Sequence, residues 1–226
     1  MAKKTTTKTE EPIALDVQLT KTEAFIEKNL KKILLAIAAV AIVVIAIFAY
    51  NNYKNNKNAE AQKAIAASQT AFAEQQYEKA LNGDGALSAG FLRIIDEYSG
   101  TKTANLAKLY AAICYANIEK YDEAIKLFES FDRKDDQMIS PASLAALANC
   151  YIQKDQNNKG VELLLKAAKS ADNDALSPVF LMQAAKVYEA EGKNDKAVEL
   201  YKEIKAKYFR SPVSSEVDKY IEKATK

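Results

Sequence analysis

Residues that could do chemistry are sparse in this chain, and their spacing brings none of them together. Histidine is absent, which removes the commonest general base and metal ligand. The two cysteines, Cys114 and Cys150, stand 36 residues apart, far from the CxxC spacing of a redox or zinc pair. Neighbouring carboxylates can share a proton or hold a cation. The pairs Asp96–Glu97, Asp135–Asp136 and Asp172–Asp174, however, fall in loops or helix ends with no basic or metal-ligating companion, so they read as solvated surface. The stretch NGDG at 82–85 lacks the alternating oxygen ligands and closing Glu of a calcium loop. No nucleophile–base pair or phosphate-binding glycine loop is present. The expectation is therefore a protein that is not an enzyme and uses no cofactor or metal.

Composition points to helices. Of 226 residues 49% are apolar, while Gly numbers 6 and Pro 4, too few for the turns of an all-β chain. The net charge is +2. Residues 1–32 hold seven Lys against five acids, and the remainder is balanced at 25 of each sign. There is no basic face with interleaved aromatics, so no nucleic acid is expected as a partner.

A period runs through the second half. Tyr115, Tyr151 and Tyr188 are 36 and 37 residues apart. Nine residues after each stands a very small residue, Ala124, Gly160 or Ala197, and four further on a large one, Phe128, Leu164 or Tyr201. The small side chain lets two antiparallel helices approach, and the aromatic and large residues fill the remaining wedge. This resembles the tetratricopeptide repeat. It departs from that repeat in its longer period, its missing early Trp and the loss of the closing Pro from two of three units. The resemblance implies an all-α helical-hairpin solenoid over 59–226: a degenerate helix pair at 59–100, repeats at about 104–138, 141–174 and 178–210, and a capping helix at 213–224. In the first pair, 59–81 reads as one Ala-rich helical run, closed by the NGDG turn.

In such a solenoid the first helices line a concave groove. Aligning on the tyrosines places there Leu106, Leu109, Ile113 and Asn117, then Ala142, Ala145, Asn149, Ile152 and Gln153, then Val179, Met182, Gln183, Lys186 and Glu189; of these, Leu106, Leu109 and Ile113 read as packing between repeats. The expected protein-binding residues are Asn117, Asn149, Gln153, Met182, Gln183 and Lys186. With one Lys among them, the groove does not suit a terminal carboxylate. Extended or hydrophobic polypeptide, or a partner's helix, suits it better. Successive first helices lie about 9 Å apart, too far for a disulfide, so Cys114 and Cys150 read as buried free thiols.

The N-terminal part has a different character. ILLAIAAVAIVVIAIFAY at 33–50 has no charge, Pro or Gly over 18 residues, about 27 Å of helix and enough to cross a bilayer's hydrocarbon core. Lys31 and Lys32 abut one end, and Tyr50 and Tyr53 the other. Residues 1–19 read as a disordered tail. Thr20 and Glu23, at capping-box spacing, open a short amphipathic lead-in over 20–32. Residues 51–58, with five Asn, read as a polar linker. The Lys excess before the span places the N-terminus in the cytoplasm and the repeats in the periplasm.

EAFIEKNLKK, the span, NGDG, FLRIIDEYSGTKTANLAKLYAAICY and EIKAKYFRSP together resemble the YfgM-like anchored tetratricopeptide proteins of Gram-negative envelopes. That resemblance implies an inner-membrane protein near the secretion translocon, with envelope chaperones or exported polypeptides as partners. The alternative is a structural adaptor for a cell-wall or division complex.

Overall fold

The computed structural model describes residues 14–85 and 88–225, with side chains from residue 23 on. Its regular elements among these are all helices. They divide into two compact units, with the boundary between Tyr53 and Lys54.

Every described residue of the first unit lies in helix α1, Ala14–Ala73, which also supplies the start of the second unit. The described apolar side chains of the first unit join no core: Leu35 is 72% exposed and Phe48 74%. It is the one helix among the described residues long and apolar enough to cross a membrane. Three expectations change here. Of the tail at 1–19, residues 1–13 lie outside the described residues and 14–19 are helical. The lead-in at 20–32 is no separate helix, and the linker at 51–58 is helical too. The cause is the absence of any breaker: neither Pro nor Gly occurs from Ala14 to Ala73, and asparagine lowers helix propensity only weakly.

Asn58, in that former linker, does structural work. Its Oδ1 accepts from the backbone N and the Oγ1 of Thr103, at 3.0 and 3.1 Å. It therefore satisfies the first turn of the helix Lys102–Asn117, 45 residues away in the sequence.

The second unit continues with α2 (Tyr77–Asn82), α3 (Gly90–Glu97), α4 (Lys102–Asn117), α5 (Tyr121–Ser130), α6 (Ile139–Gln153), α7 (Asn157–Ala171), α8 (Ser177–Ala190) and α9 (Asn194–Lys207). A 3-10 turn at Pro212–Glu216 leads into α10 (Val217–Ala224). Consecutive helices pack on one another: α4 on α5, α6 on α7, α8 on α9, and between pairs α5 on α6 and α7 on α8. Helix α10 packs on α9 and closes the stack.

Ala124, Phe128, Leu164, Ala197 and Tyr201 are fully buried, and Gly160 and Tyr151 are buried as well. Tyr115 and Tyr188 are half-buried. The Tyr151 hydroxyl donates to Glu129 at 2.6 Å and accepts from Lys159 at 2.6 Å, tying α5, α6 and α7 together. Tyr201 donates to Glu189 at 2.9 Å.

The turn inside each hairpin is built the same way four times. Gln75, Glu119, Asp155 and Gly192 all have positive φ, between 58° and 71°. The next amide in each case, of Gln76, Lys120, Gln156 or Lys193, donates 2.9 Å back to the carbonyl of Ala71, Tyr115, Tyr151 or Tyr188. This is the left-handed helix stop that satisfies the last carbonyls. Three of the four positions carry a Cβ, which is disfavoured there. Glu119→Gly is therefore expected to stabilise the protein by about 0.5–1 kcal/mol despite the looser unfolded chain, as thermal unfolding would read.

The fourfold turn shows a hairpin that sequence analysis missed. The run at 59–81 is not one helix: α1 stops at Ala73 and α2 starts at Tyr77. Residues 75–81, QQYEKAL, parallel 119–125, EKYDEAI, and Ala80 is as fully buried as Ala124.

The connections between hairpins have their own repeat. Asp136 Oδ1 accepts from the amides of Met138 and Ile139 at 2.9 and 2.6 Å, and the carboxylate takes the Ser140 hydroxyl at 2.5 Å. Thirty-seven residues on, Asn173 Oδ1 accepts from Ala175 and Leu176 at 3.0 and 2.8 Å. Asp136 is thus a helix cap and not idle surface. Burial acts to raise its pKa, but the donors of Ser140, Met138 and Ile139 outweigh it and hold the carboxyl below the usual carboxylate range. A depressed folded pKa adds stability that is present above the unfolded value and lost as pH falls through the folded one. Asp136→Ala should cost about 1 kcal/mol at neutral pH. Its deficit against wild type should shrink in acid, as denaturant titration at both pH values would show.

Candidate protein-binding groove

Three of the expected binding residues come together. A cavity of about 280 Å³ lies between α4, α5 and α6, lined by Ile113, Ala116, Asn117, Tyr121, Phe128, Ala146, Asn149, Cys150 and Gln153. Residues 113, 116 and 117 share one face of α4, and 146, 149, 150 and 153 share one face of α6. Asn117, Asn149 and Gln153 are exposed and supply amides at its margin. Ile113, Ala116, Phe128, Ala146 and Cys150 give it apolar walls. Asn117 directs its NH2 group to the Ile113 carbonyl at 2.8 Å. Cys150 is a buried free thiol, as is Cys114. Burial pushes the Cys150 thiol up to about 11 and that of Cys114 to about 12, so neither is nucleophilic at neutral pH.

The other three expected residues do not join them. Met182 is buried among α7, α8 and α9 in the core, so it packs rather than binds. Gln183 is half-buried, and its Oε1 lacks a hydrogen-bond partner. Lys186 is exposed, with its ammonium 5.3 Å from the centre of the Tyr220 ring. Ala145 is buried, Ile152 points at Gly160, and Glu189 faces Tyr201, so these also leave the groove.

Register explains why the cavity exists. Gln183 stands 37 residues after Ala146, and Tyr220 another 37 after Gln183. Tyr220 on α10 stacks against Tyr201 with ring centres 5.5 Å apart. Tyr201 is the third-repeat counterpart of Phe128. Where α10 carries a tyrosine, α6 carries Ala146, and the space beside Phe128 stays open.

The Tetratricopeptide repeat-like domain model matches residues 23–164. The chain belongs to this family. None of the curated proteins matches it in sequence. Among solved structures, this tetratricopeptide repeat-like chain is similar to a Podosopora anserina protein described as nearly identical TPR-like repeats. That match has 18% identity and a TM-score of 0.57, over 74% of this chain and 86% of that one. A singly substituted form of that protein gives 18% and 0.56, over 74% and 85%. At such identity the likeness is one of fold. The tetratricopeptide repeat-like fold is a scaffold for protein–protein interaction, and domains of this family are typically non-catalytic.

Tyrosine alignment found the amides of the tetratricopeptide repeat-like groove but not its floor. Ala116 and Ala146 carry no signal of their own. The helix face of Asn149 leads to Ala146 three residues earlier, and that spacing is the one signal that could have found it. A second cleft, about 350 Å³, was not anticipated at all: Ala67, Thr70, Ala71, Glu74, Lys79, Asp84 and Ser88 line it.

Proposed function

We propose that the chain is a single-span membrane protein whose repeat domain grips other polypeptides, as a scaffold or co-chaperone for exported or translocating proteins in a bacterial envelope. In this reading 33–50 crosses the inner membrane, the N-terminus is cytoplasmic, and the repeats stand in the periplasm. An apolar stretch of α1 with none of its residues buried within the chain supports the anchor. The Lys excess of residues 1–32 supports the orientation.

The observation that carries the binding reading is the open space beside Phe128. Tyr220 demonstrates what such a space accepts: one large apolar or aromatic side chain presented from a neighbouring segment. Amides at the margin suit the flanking main chain of that segment, and no cluster of cations selects a charged group.

The test uses a photo-crosslinking residue at Asn149 in intact membranes. Exported polypeptides, envelope chaperones or translocon components should be recovered, and Ala146→Tyr, which plugs the cavity as Tyr220 does, should cut the yield several-fold. Recovery of none of these would overturn the reading. Septal localisation with division or wall proteins would favour the structural-adaptor reading instead.

A further inference from the structure

Among the described residues beyond Tyr53, the large apolar side chains that stay well exposed are Met138 at 56%, Ile139 at 52% and Phe209 at 69%. All three lie at one end of the stack. The four left-handed turns form the opposite end, while Met138 and Ile139 open α6 and Phe209 follows α9. The connections at this end are joined to one another: the Asn173 side chain donates to the Gln137 carbonyl at 3.1 Å. The first helix reaches the same end, since Asn58 caps the first turn of α4. Asn58 stands eight positions after Tyr50, the end of the apolar stretch, a tether of about 12 Å when helical. The headgroup layer on one side of a bilayer is itself roughly 5–8 Å thick.

We propose that this end of the stack, through Met138, Ile139 and Phe209, docks onto the phospholipid surface in which 33–50 is anchored. The inference rests on the membrane reading above. Three side chains are too small a patch to hold a free protein on a bilayer. A short tether changes that, because docking becomes intramolecular at high effective concentration. Phe209 also carries its own cation: the Arg210 guanidinium lies 5.5 Å from the ring centre. An aromatic with an adjoining Arg suits the boundary between acyl chains and headgroups.

The chain contains no tryptophan, so Phe209→Trp makes a single reporter. The full chain is reconstituted in vesicles of phosphatidylethanolamine and phosphatidylglycerol, part of them brominated in the acyl chains. Asp195→Trp, exposed at the turn end, is the control, and Met138→Trp covers misfolding of the first variant. Emission from position 209 should be blue-shifted and quenched by brominated lipid several-fold more than from position 195. Equal quenching at both positions overturns the docking. Shielding from acrylamide without quenching by lipid also overturns it, because a second copy or a partner protein then covers the patch. Flotation separates the two readings. A chain that fails to float with vesicles sinks the anchor and the docking together, whereas one that floats with its reporter in water sinks the docking alone.

Discussion

Gly160→Leu is expected to remove more than about 3 kcal/mol of stability and to empty the groove of its partners. A Cβ built at Gly160 would lie 2.4 Å from Ile152 Cγ1 and 3.0 Å from the Ala148 carbonyl oxygen, so α6 and α7 meet there with no space between them. A leucine must push the helices apart, and Asn149 and Gln153 ride on the helix that moves. Gly160→Ala separates the causes. Alanine gains about 1 kcal/mol of helix propensity over glycine, set against the contact with Ile152. In an Ile152→Ala background that contact is gone, and Gly160→Ala should then stabilise. Urea titration of the four proteins in detergent, followed by circular dichroism, measures the coupling. Strictly additive effects would show that the helices already have room, and would undo the account of why this position is glycine.

How far the fold was legible follows from where the signals sit. Hairpins two to four could be read because each combines an aromatic, a tiny residue and a large one at fixed offsets, and packing demands all three. The first hairpin has the tiny residue, Ala80, but Ala71 stands where the others have tyrosine. With the aromatic missing, the period could not be extended back, and the break at 74–76 was lost inside an Ala-rich run. Polarity misled at 51–58: asparagines suggest a linker, but without Pro or Gly a helix continues through them, and the role of Asn58 depends on a partner 45 residues away. The groove was half legible for a related reason. Exposed amides stand out in an alignment, whereas a cavity is defined by what is missing. Ala146 matters only beside Tyr220, the residue that fills the equivalent space. Met182 was misplaced because a single helix has several apolar rows, and spacing alone does not say which of them the next hairpin covers.

The second large effect is expected at Gly90, through a different physical cause. Its φ is +67°, and a Cβ there would fall 2.4 Å from the Asn82 carbonyl carbon and from the Gly83 nitrogen, and 2.5 Å from the Leu81 oxygen. These are backbone atoms, so no side chain can swing away. Gly83 approaches from the other side, its own Cβ position lying 2.1 Å from the Ser88 oxygen. The two glycines bring the end of α2 against the start of α3, and Phe91 packs in a core with Ile65, Leu81 and Ile94, stacking on Tyr110 at 5.2 Å. Gly90→Ala should cost more than about 3 kcal/mol. Gly100→Ala, also at positive φ but with open space around its Cβ, should cost only about 1 kcal/mol. In a stack whose hairpins pack on adjacent hairpins, the damage should stay local. Hydrogen exchange of Gly90→Ala should lose protection over 54–98 and in α4 while 177–207 keeps it. Uniform loss along the chain would mean that the hairpins fold as one unit, and would contradict the neighbour-by-neighbour stability argued for this solenoid.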